Sequence, residues 1–276
     1  MSSMRAAVDA MAAPGHRAVD HVRTGFPSID TLLGGGLRRG DVIVLCGEVG
    51  AGKSAMALAI ALRANEAGFA SAMFSGEMRA ERLVERALAV EGRVRVDDLR
   101  RGTVDDDARA TMDAAAERLR DRLPWFAELP DGGLDDVDAA FGVLGMPELV
   151  VIDPLQWLAT GAMPLEESLA AAMRALKAMA IRRDVAVLVT THLPAMIADR
   201  PDPRPTLDDL GALGSIKQVA DVVLGIFRQE MHERASDVEG ATELLVLKNR
   251  NGATGYADLY FYKQWMRFED MLEPDR

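Results

Sequence analysis

Gly47-Glu48-Val49-Gly50-Ala51-Gly52-Lys53-Ser54 is the stretch on which the fold turns. It satisfies the pattern G-x-x-x-x-G-K-[ST] and follows the apolar run Val42-Ile43-Val44-Leu45. It also opens the segment Lys53 to Ala67, whose apolar residues recur at three- and four-residue spacing. Strand, glycine-rich turn and helix in that order are the context in which this pattern cradles phosphates. The glycines let the backbone turn its N–H groups inward, and the helix presents its positive end to the same anion. Lys53 then reaches the β- and γ-phosphates of a bound nucleotide, and the Ser54 hydroxyl ligates magnesium. A glycine-rich turn matching by chance is the competing reading, and three further elements weigh against it.

The first is Leu149-Val150-Val151-Ile152-Asp153, an apolar strand ending in a carboxylate that points Asp153 to the magnesium shell. A turn aspartate at a strand end is the plainer alternative. The second is Glu77, just past Phe74-Ser75-Gly76, where a carboxylate can orient or deprotonate the attacking water. The same residue could instead serve as an N-terminal acid of the helix that starts near Arg79. The third is Lys248-Asn249-Arg250 at the end of a late strand. In a ring, Lys248 and Arg250 would enter a neighbour's site as an arginine finger; outside one, they are solvated cations at a turn.

Working outward, Ser71 to Phe74, Leu149 to Ile152 and Val185 to Val189 read as continuous apolar strands. Helical spacing over Ala80 to Val90, Asp106 to Leu123 and Glu167 to Arg183 separates them, which predicts a mostly parallel sheet covered by helices on both faces. From Asp221 the chain turns strand-rich, and Glu243 to Leu247 and Tyr256 to Tyr262 flank the turn-rich Asn249 to Gly255, an antiparallel hairpin finishing the sheet. Residues 1–23 read as an alanine-rich arm broken at Pro14-Gly15, and residues 24–276 as one α/β domain.

Bulk chemistry narrows the function classes. With 43 acids against 32 Lys and Arg, a net charge of −11 provides no general field for nucleic acid or anionic lipid, so any such contact must be local. The single cysteine, Cys46, lies in an apolar run and reads as a buried structural thiol in a reducing compartment. Arg5 and Asp9 interrupt the only alanine-rich leader, and no run approaches the roughly 18 apolar residues of a membrane span. A cytoplasmic protein without membrane contact is expected.

Six segments carry a family resemblance. Thr24-Gly25-Phe26-Pro27-Ser28-Ile29-Asp30, the Gly47–Ser54 loop, Phe74-Ser75-Gly76-Glu77-Met78, Val151-Ile152-Asp153-Pro154-Leu155-Gln156, Gly214 to Asp221 and Lys248 to Gly252 stand in the order seen in one known domain. From Thr24 to Phe268 the chain resembles the C-terminal motor domain of replicative helicases of the DnaB type. The resemblance implies a RecA-like P-loop core, a hexameric ring with ATP and Mg2+ between subunits, and single-stranded DNA in the channel. It also implies Lys53 and Ser54 as phosphate and magnesium residues, Glu77 as catalytic base, Asp153 as metal-shell acid, and Arg250 with Lys248 as the finger acting on the neighbour.

The departures matter too. His192, in Thr190-Thr191-His192, stands where the family usually places a γ-phosphate-sensing glutamine; it is either a pH-dependent sensor or an ordinary strand-end histidine. Gly211-Ala212 replaces the usual Arg-Glu pair, which questions the coupling between DNA loop and nucleotide. No counterpart of the family's collar domain is expected, nor loading and primase recruitment by the usual route, although loader or other replication proteins remain candidate partners. The Leu193–Gly214 loop offers Arg200 and Arg204, with Lys217 just beyond, as DNA cations, nearly cancelled by Asp199, Asp202, Asp208 and Asp209. Trp125, Trp157 and Trp265 read as core or interface anchors rather than base-stacking platforms. Leu32 to Leu37 followed by Arg39-Gly40-Asp41 is also similar to the KaiC and RadA branch. That likeness keeps open a regulatory or assembly ATPase, independent of DNA, beside the DNA-stimulated motor.

Overall fold

The computed structural model describes residues 8, 20–129, 133–159, 164–193, 200–210, 214–232 and 239–271. Most of the N-terminal arm, Asp199 and Gly211-Ala212 lie outside these residues.

A nine-stranded sheet forms the body, and its centre is the strand that leads into the glycine loop. That strand, β3 (Val42–Gly47), follows the short β1 (His21–Val22) and β2 (Leu37–Arg38), which pair with each other antiparallel. Val22 is fully buried, so this end of the arm packs on the body. β4 (Ser71–Ser75), β5 (Trp125–Glu128), β6 (Leu149–Asp153), β7 (Ala186–His192) and β8 (Val222–Arg228) run parallel with β3. β9 (Ala241–Asn249), β10 (Gly255–Tyr262) and β11 (Arg267–Asp270) continue the sheet antiparallel, in the order β11-β10-β9-β8-β3-β7-β6-β4-β5. The hairpin at Asn249–Gly255 and the parallel centre therefore stand as the sequence predicts.

Every residue of β3, β4, β6 and β8 is buried, which explains why these strands read as unbroken apolar runs. Alternate side chains of β3 enter two separate cores. Ile43 and Leu45 join the core built with α1 (Pro27–Leu32), α2 (Lys53–Glu66) and α3 (Ala80–Gly92). Val42, Val44 and Cys46 join the one built with α6 (Leu134–Leu144), α7 (Leu165–Arg183) and α8 (Gly214–Val219). Burial pushes the Cys46 thiol up to about 12, so it is an inert packing residue, as expected. Two further helices, α4 (Val96–Arg101) and α5 (Asp106–Leu119), lie between α3 and β5 in the chain. Among the described residues no helix is long and apolar enough to cross a membrane.

Candidate nucleotide site

Four adjacent strands bring the candidate groups to one edge of the sheet. Gly47 pairs with His192 across β3 and β7, and Ser75 pairs with Asp153 across β4 and β6. The Gly47–Ser54 loop, His192, Asp153 and Glu77 thus all stand at the carboxyl ends of parallel strands, the edge where open α/β sheets bind ligands.

Within the loop, Gly52 caps α2 with φ +101°, a conformation that suits glycine. A Cβ there would also stand 3.0 Å from the Phe268 ring, so the loop rests directly on β11. Its carbonyls face Lys53, whose Nζ donates to Gly47 O at 3.0 Å and Glu48 O at 2.7 Å. Burial lowers the Lys53 pKa, and the Asp153 carboxylate acts against that shift. Around the rest of the loop, Gly50 O accepts from Arg228, Glu48 Oε2 lies 3.3 Å from His232 Nε2, Ala51 is buried and Val49 is exposed.

Ser54 Oγ donates to Asp153 Oδ1 at 3.1 Å, and Thr190 Oγ1 donates to the same oxygen. Asp153 Oδ2 is buried and finds no hydrogen-bond partner among the described residues. Desolvation raises the Asp153 pKa above its ordinary value, while the Thr190 and Ser54 hydroxyls pull it down. A hydroxyl beside a carboxylate with a spare oxygen is the donor set a magnesium ion takes, since it keeps several waters and shares the rest with phosphates. Ser54 and Asp153 therefore fit the ion the sequence implied. Thr190 escaped notice in the sequence; its signal was a polar pair, Thr190-Thr191, in an otherwise apolar strand.

Glu77 is half exposed, with Oε1 3.5 Å from His192 Nε2. Its backbone is fixed by neighbours: Gly76 N donates to Asp153 O at 3.0 Å, and Met78 N donates to Ser75 Oγ at 3.0 Å. The cap of α3 is Arg79, and the acid in its first turn is Glu81. Glu77 lies two residues ahead of that cap, outside the helix, and its carboxylate stands beside His192. Next to Glu77 opens a cleft lined by Arg79, Arg82, Arg86 and Arg100, which the sequence did not disclose because these residues are scattered over α3 and α4. Arg86 Nε is buried with no partner among the described residues, and burial lowers the pKa of that guanidinium.

Lys248 and Arg250 sit at the opposite edge. β9 runs antiparallel to β8 and pairs Lys248 with Val223, level with Val44. Lys248 Nζ donates to the carbonyls of Lys217 and Ala220, and burial lowers its pKa. Arg250 Nη1 pairs with Asp221 at 2.9 Å and its Nη2 donates to Gln218 O at 2.7 Å. Asp221 is buried and also accepts from Lys177 and from Val42 N.

The candidate DNA cations are already engaged within the chain. Arg200 forks onto Asp209 at 2.8 and 2.9 Å, and Arg204 forks onto Glu243 at 2.6 and 2.7 Å while covering the Phe227 ring. Among the described residues, the Lys217 side chain pairs with Asp208 at 3.2 Å, a carboxylate 95% exposed. Trp125 packs on Phe74 and Trp265 on Tyr262, as anchors.

The family model described as the DnaB-like helicase C terminal domain matches residues 21–270. The replicative DNA helicase DnaB of Leifsonia xyli subsp. xyli is 31% identical over 273 residues, covering 96% of this chain and 60% of that protein. The replicative DNA helicase DnaB of Geobacillus stearothermophilus is 29% identical over 257 residues, covering 91% of this chain and 56% of that protein. The chain thus spans 56–60% of the length of these relatives. Among solved structures, the ATPase domain of G40P aligns with a TM-score of 0.91 at 22% identity, covering 99% of this chain and 100% of that one. The KaiC-like protein PH0186 of Pyrococcus horikoshii OT3 aligns at 0.62 and 16%, over 91% of this chain and 99% of that one. At these identities the two likenesses speak for the fold, a RecA-like core. The family match runs from β1 to β11 and takes in every group at the site, and this chain belongs to the DnaB-like helicase C-terminal domain family.

Proposed function

We propose that this chain is the motor of a DNA helicase: an ATPase, working as a cytoplasmic hexameric ring, that hydrolyses ATP between adjacent copies and moves along single-stranded DNA. The observation that carries this reading is the split of the charged groups between the two edges of the sheet. Lys53, Ser54, Asp153, Glu77 and His192 form one half of a hydrolytic site, and Lys248 and Arg250 are too far from it to serve their own nucleotide.

Each residue has a task in that reaction. Lys53 exchanges the Gly47 and Glu48 carbonyls for the β- and γ-phosphate oxygens, and the Gly47–Ser54 amides and the start of α2 hold the remaining charge. Ser54 and Asp153 would hold magnesium, which would supply positive charge to offset that of the phosphates. Glu77 accepts a proton from the water that attacks the γ-phosphorus as the bond to the β–γ bridging oxygen breaks. His192 stands 3.5 Å from Glu77 and could turn its N–H to a phosphate oxygen. Arg250 and Lys248 of the next copy stabilise the charge that builds up, as trans-acting fingers do.

For DNA, Lys217 is the candidate among the described residues best able to change partners, because the exposed Asp208 holds it weakly. Its helix, α8, ends in the carbonyls that grip Lys248 and Arg250, which links a DNA-side residue to the trans-acting pair. Arg200 and Arg204 serve the loop's own structure first. By kinship with replicative helicases, loader and other replication proteins are the partners to screen.

Steady-state ATPase with and without single-stranded DNA, at low and physiological salt, tests the proposal. Strong, salt-sensitive stimulation that vanishes in Lys53→Ala supports it. Lys53-dependent turnover indifferent to DNA would instead support a regulatory or assembly ATPase, the role that the KaiC-like fold leaves open.

A further inference from the structure

One short turn touches the residues that stand just before Glu77 and His192. After β6 the chain forms a 3-10 turn, Leu155–Leu158, anchored by two buried leucines. From it Gln156 Nε2 donates to Thr191 Oγ1 at 2.8 Å, one residue before His192. The next residue, Trp157, lays its indole on Gly76, one residue before Glu77. A Cβ built on Gly76 would stand 2.1 Å from the indole Cγ and 2.4 Å from Cδ1 and Cδ2.

Two features show that this contact is more than core filling. The glycine is not required by its backbone, because Gly76 is absent from the positions of positive φ; what excludes a side chain there is Trp157 itself. Trp157 is also 39% exposed, so burial alone does not demand so large a ring. Gly76, just past the end of β4, is thus held by Asp153 O and covered on one face by the indole, and the Glu77 carboxylate springs from the next residue. The geometry points to Trp157 as a positioning residue for hydrolysis: through Gly76 it sets where the Glu77 carboxylate stands relative to His192. This rests on Glu77 being the base of the proposed ATPase.

The test is a kinetic cycle on the whole chain with Gly76→Ala, Trp157→Ala, the double variant and Trp157→Phe, measuring kcat, ATP affinity and melting temperature for each. Displacing a catalytic group by about an ångström costs on the order of 100-fold, so kcat falls by about 10- to 100-fold in each single alanine variant. ATP affinity stays within about threefold, because the phosphate loop is untouched, and Trp157→Phe keeps most of kcat by supplying a flat ring. Once Trp157 is alanine, adding Gly76→Ala costs little more, since the clash has gone. Additive losses, or a loss of affinity as large as the loss of kcat, would overturn the assignment, as would unchanged kcat in both single variants. Full turnover in Lys53→Ala or Glu77→Gln would instead bring down the underlying site reading, so the two failures are told apart.

Discussion

Glu77→Gln and Arg250→Ala chains, each inactive alone, should regain turnover when mixed. Level with Val44, Lys248 lies three residues below Gly47 and two strands to the side, or roughly 10 Å along the strands and about 10 Å across them. Arg250 lies beyond the end of β9, with its guanidinium turned onto Asp221 and Gln218. In the proposed ring the finger would therefore serve only a neighbouring copy. In a ring of head-to-tail contacts, a site works when one subunit supplies Glu77 and the next supplies Arg250. At equal proportions an Arg250→Ala chain is followed by a Glu77→Gln chain at about one quarter of contacts, so about one quarter of wild-type turnover returns for independently acting sites. Either parent should be down by about 1,000-fold or more. The assay is steady-state ATPase across mixing ratios, with a maximum at equal proportions. A mixture as dead as its parents, with mixed oligomers recovered through two different tags, would refute the reasoning.

Three further outcomes follow from the geometry. Phe268 is fully buried, stacks on Phe261 at 4.3 Å and supports Gly52, so Phe268→Ala should cost about 3–5 kcal/mol, lower the melting temperature by roughly 6 °C or more and weaken ATP binding; a drop of under about 2 °C counts against that support. Burial raises the folded-state pKa of Asp153, so the folded chain binds that proton more tightly than the unfolded one, and its contribution to stability falls as pH rises from 3.8 through the raised value. Asp153→Asn should accordingly melt higher than wild type at neutral pH and lose that advantage below pH 3.8, while magnesium stabilises only the wild type; equal melting curves across that pH range would refute it. Lys217→Ala should leave melting within about 1 °C yet reduce DNA stimulation and flatten its salt dependence, whereas Arg204→Ala should lower melting through loss of Glu243 and Phe227 contacts; the reverse pattern, read by calorimetry and salt titration, would exchange their roles.

The fold was legible where one physical signal dominated. Strands buried on both faces leave continuous apolar runs, and each of these was readable together with the glycine loop and the Asn249–Gly255 hairpin. β5 was not, because an edge strand of four partly exposed residues carries no such run, and Trp125-Phe126 looked only like anchors. At the site, residues tied to a strand end were legible: Asp153, Glu77 and His192 each follow an apolar run that fixes their edge of the sheet. What a local pattern could not reveal was pairing across the fold. Nothing in the loop sequence says that Arg204 belongs to Glu243, 39 residues away, or that Arg250 is held by Asp221. For the same reason the glycine at position 76 carried no message until Trp157 was found above it.

The electrostatics of the site explain why its groups wait in the state they do. Burial drives Lys53 toward its neutral form and Asp153 toward its protonated form, so both charges are disfavoured where they stand. Each answers with partial compensation: Lys53 with two loop carbonyls, Asp153 with two hydroxyls that reach only one of its oxygens. A fold selected for stability alone would replace such a pair by apolar side chains, as buried ion pairs often allow without loss. Here the fully buried strands on either side carry the stability, and the site keeps two undersatisfied charges of opposite sign within one loop and one strand end. On the proposed function, a triphosphate with its magnesium would satisfy both at once, with Lys53 serving the anion and Asp153 the cation. Nucleotide binding should therefore stabilise this chain through the same two residues whose burial makes them costly in its absence.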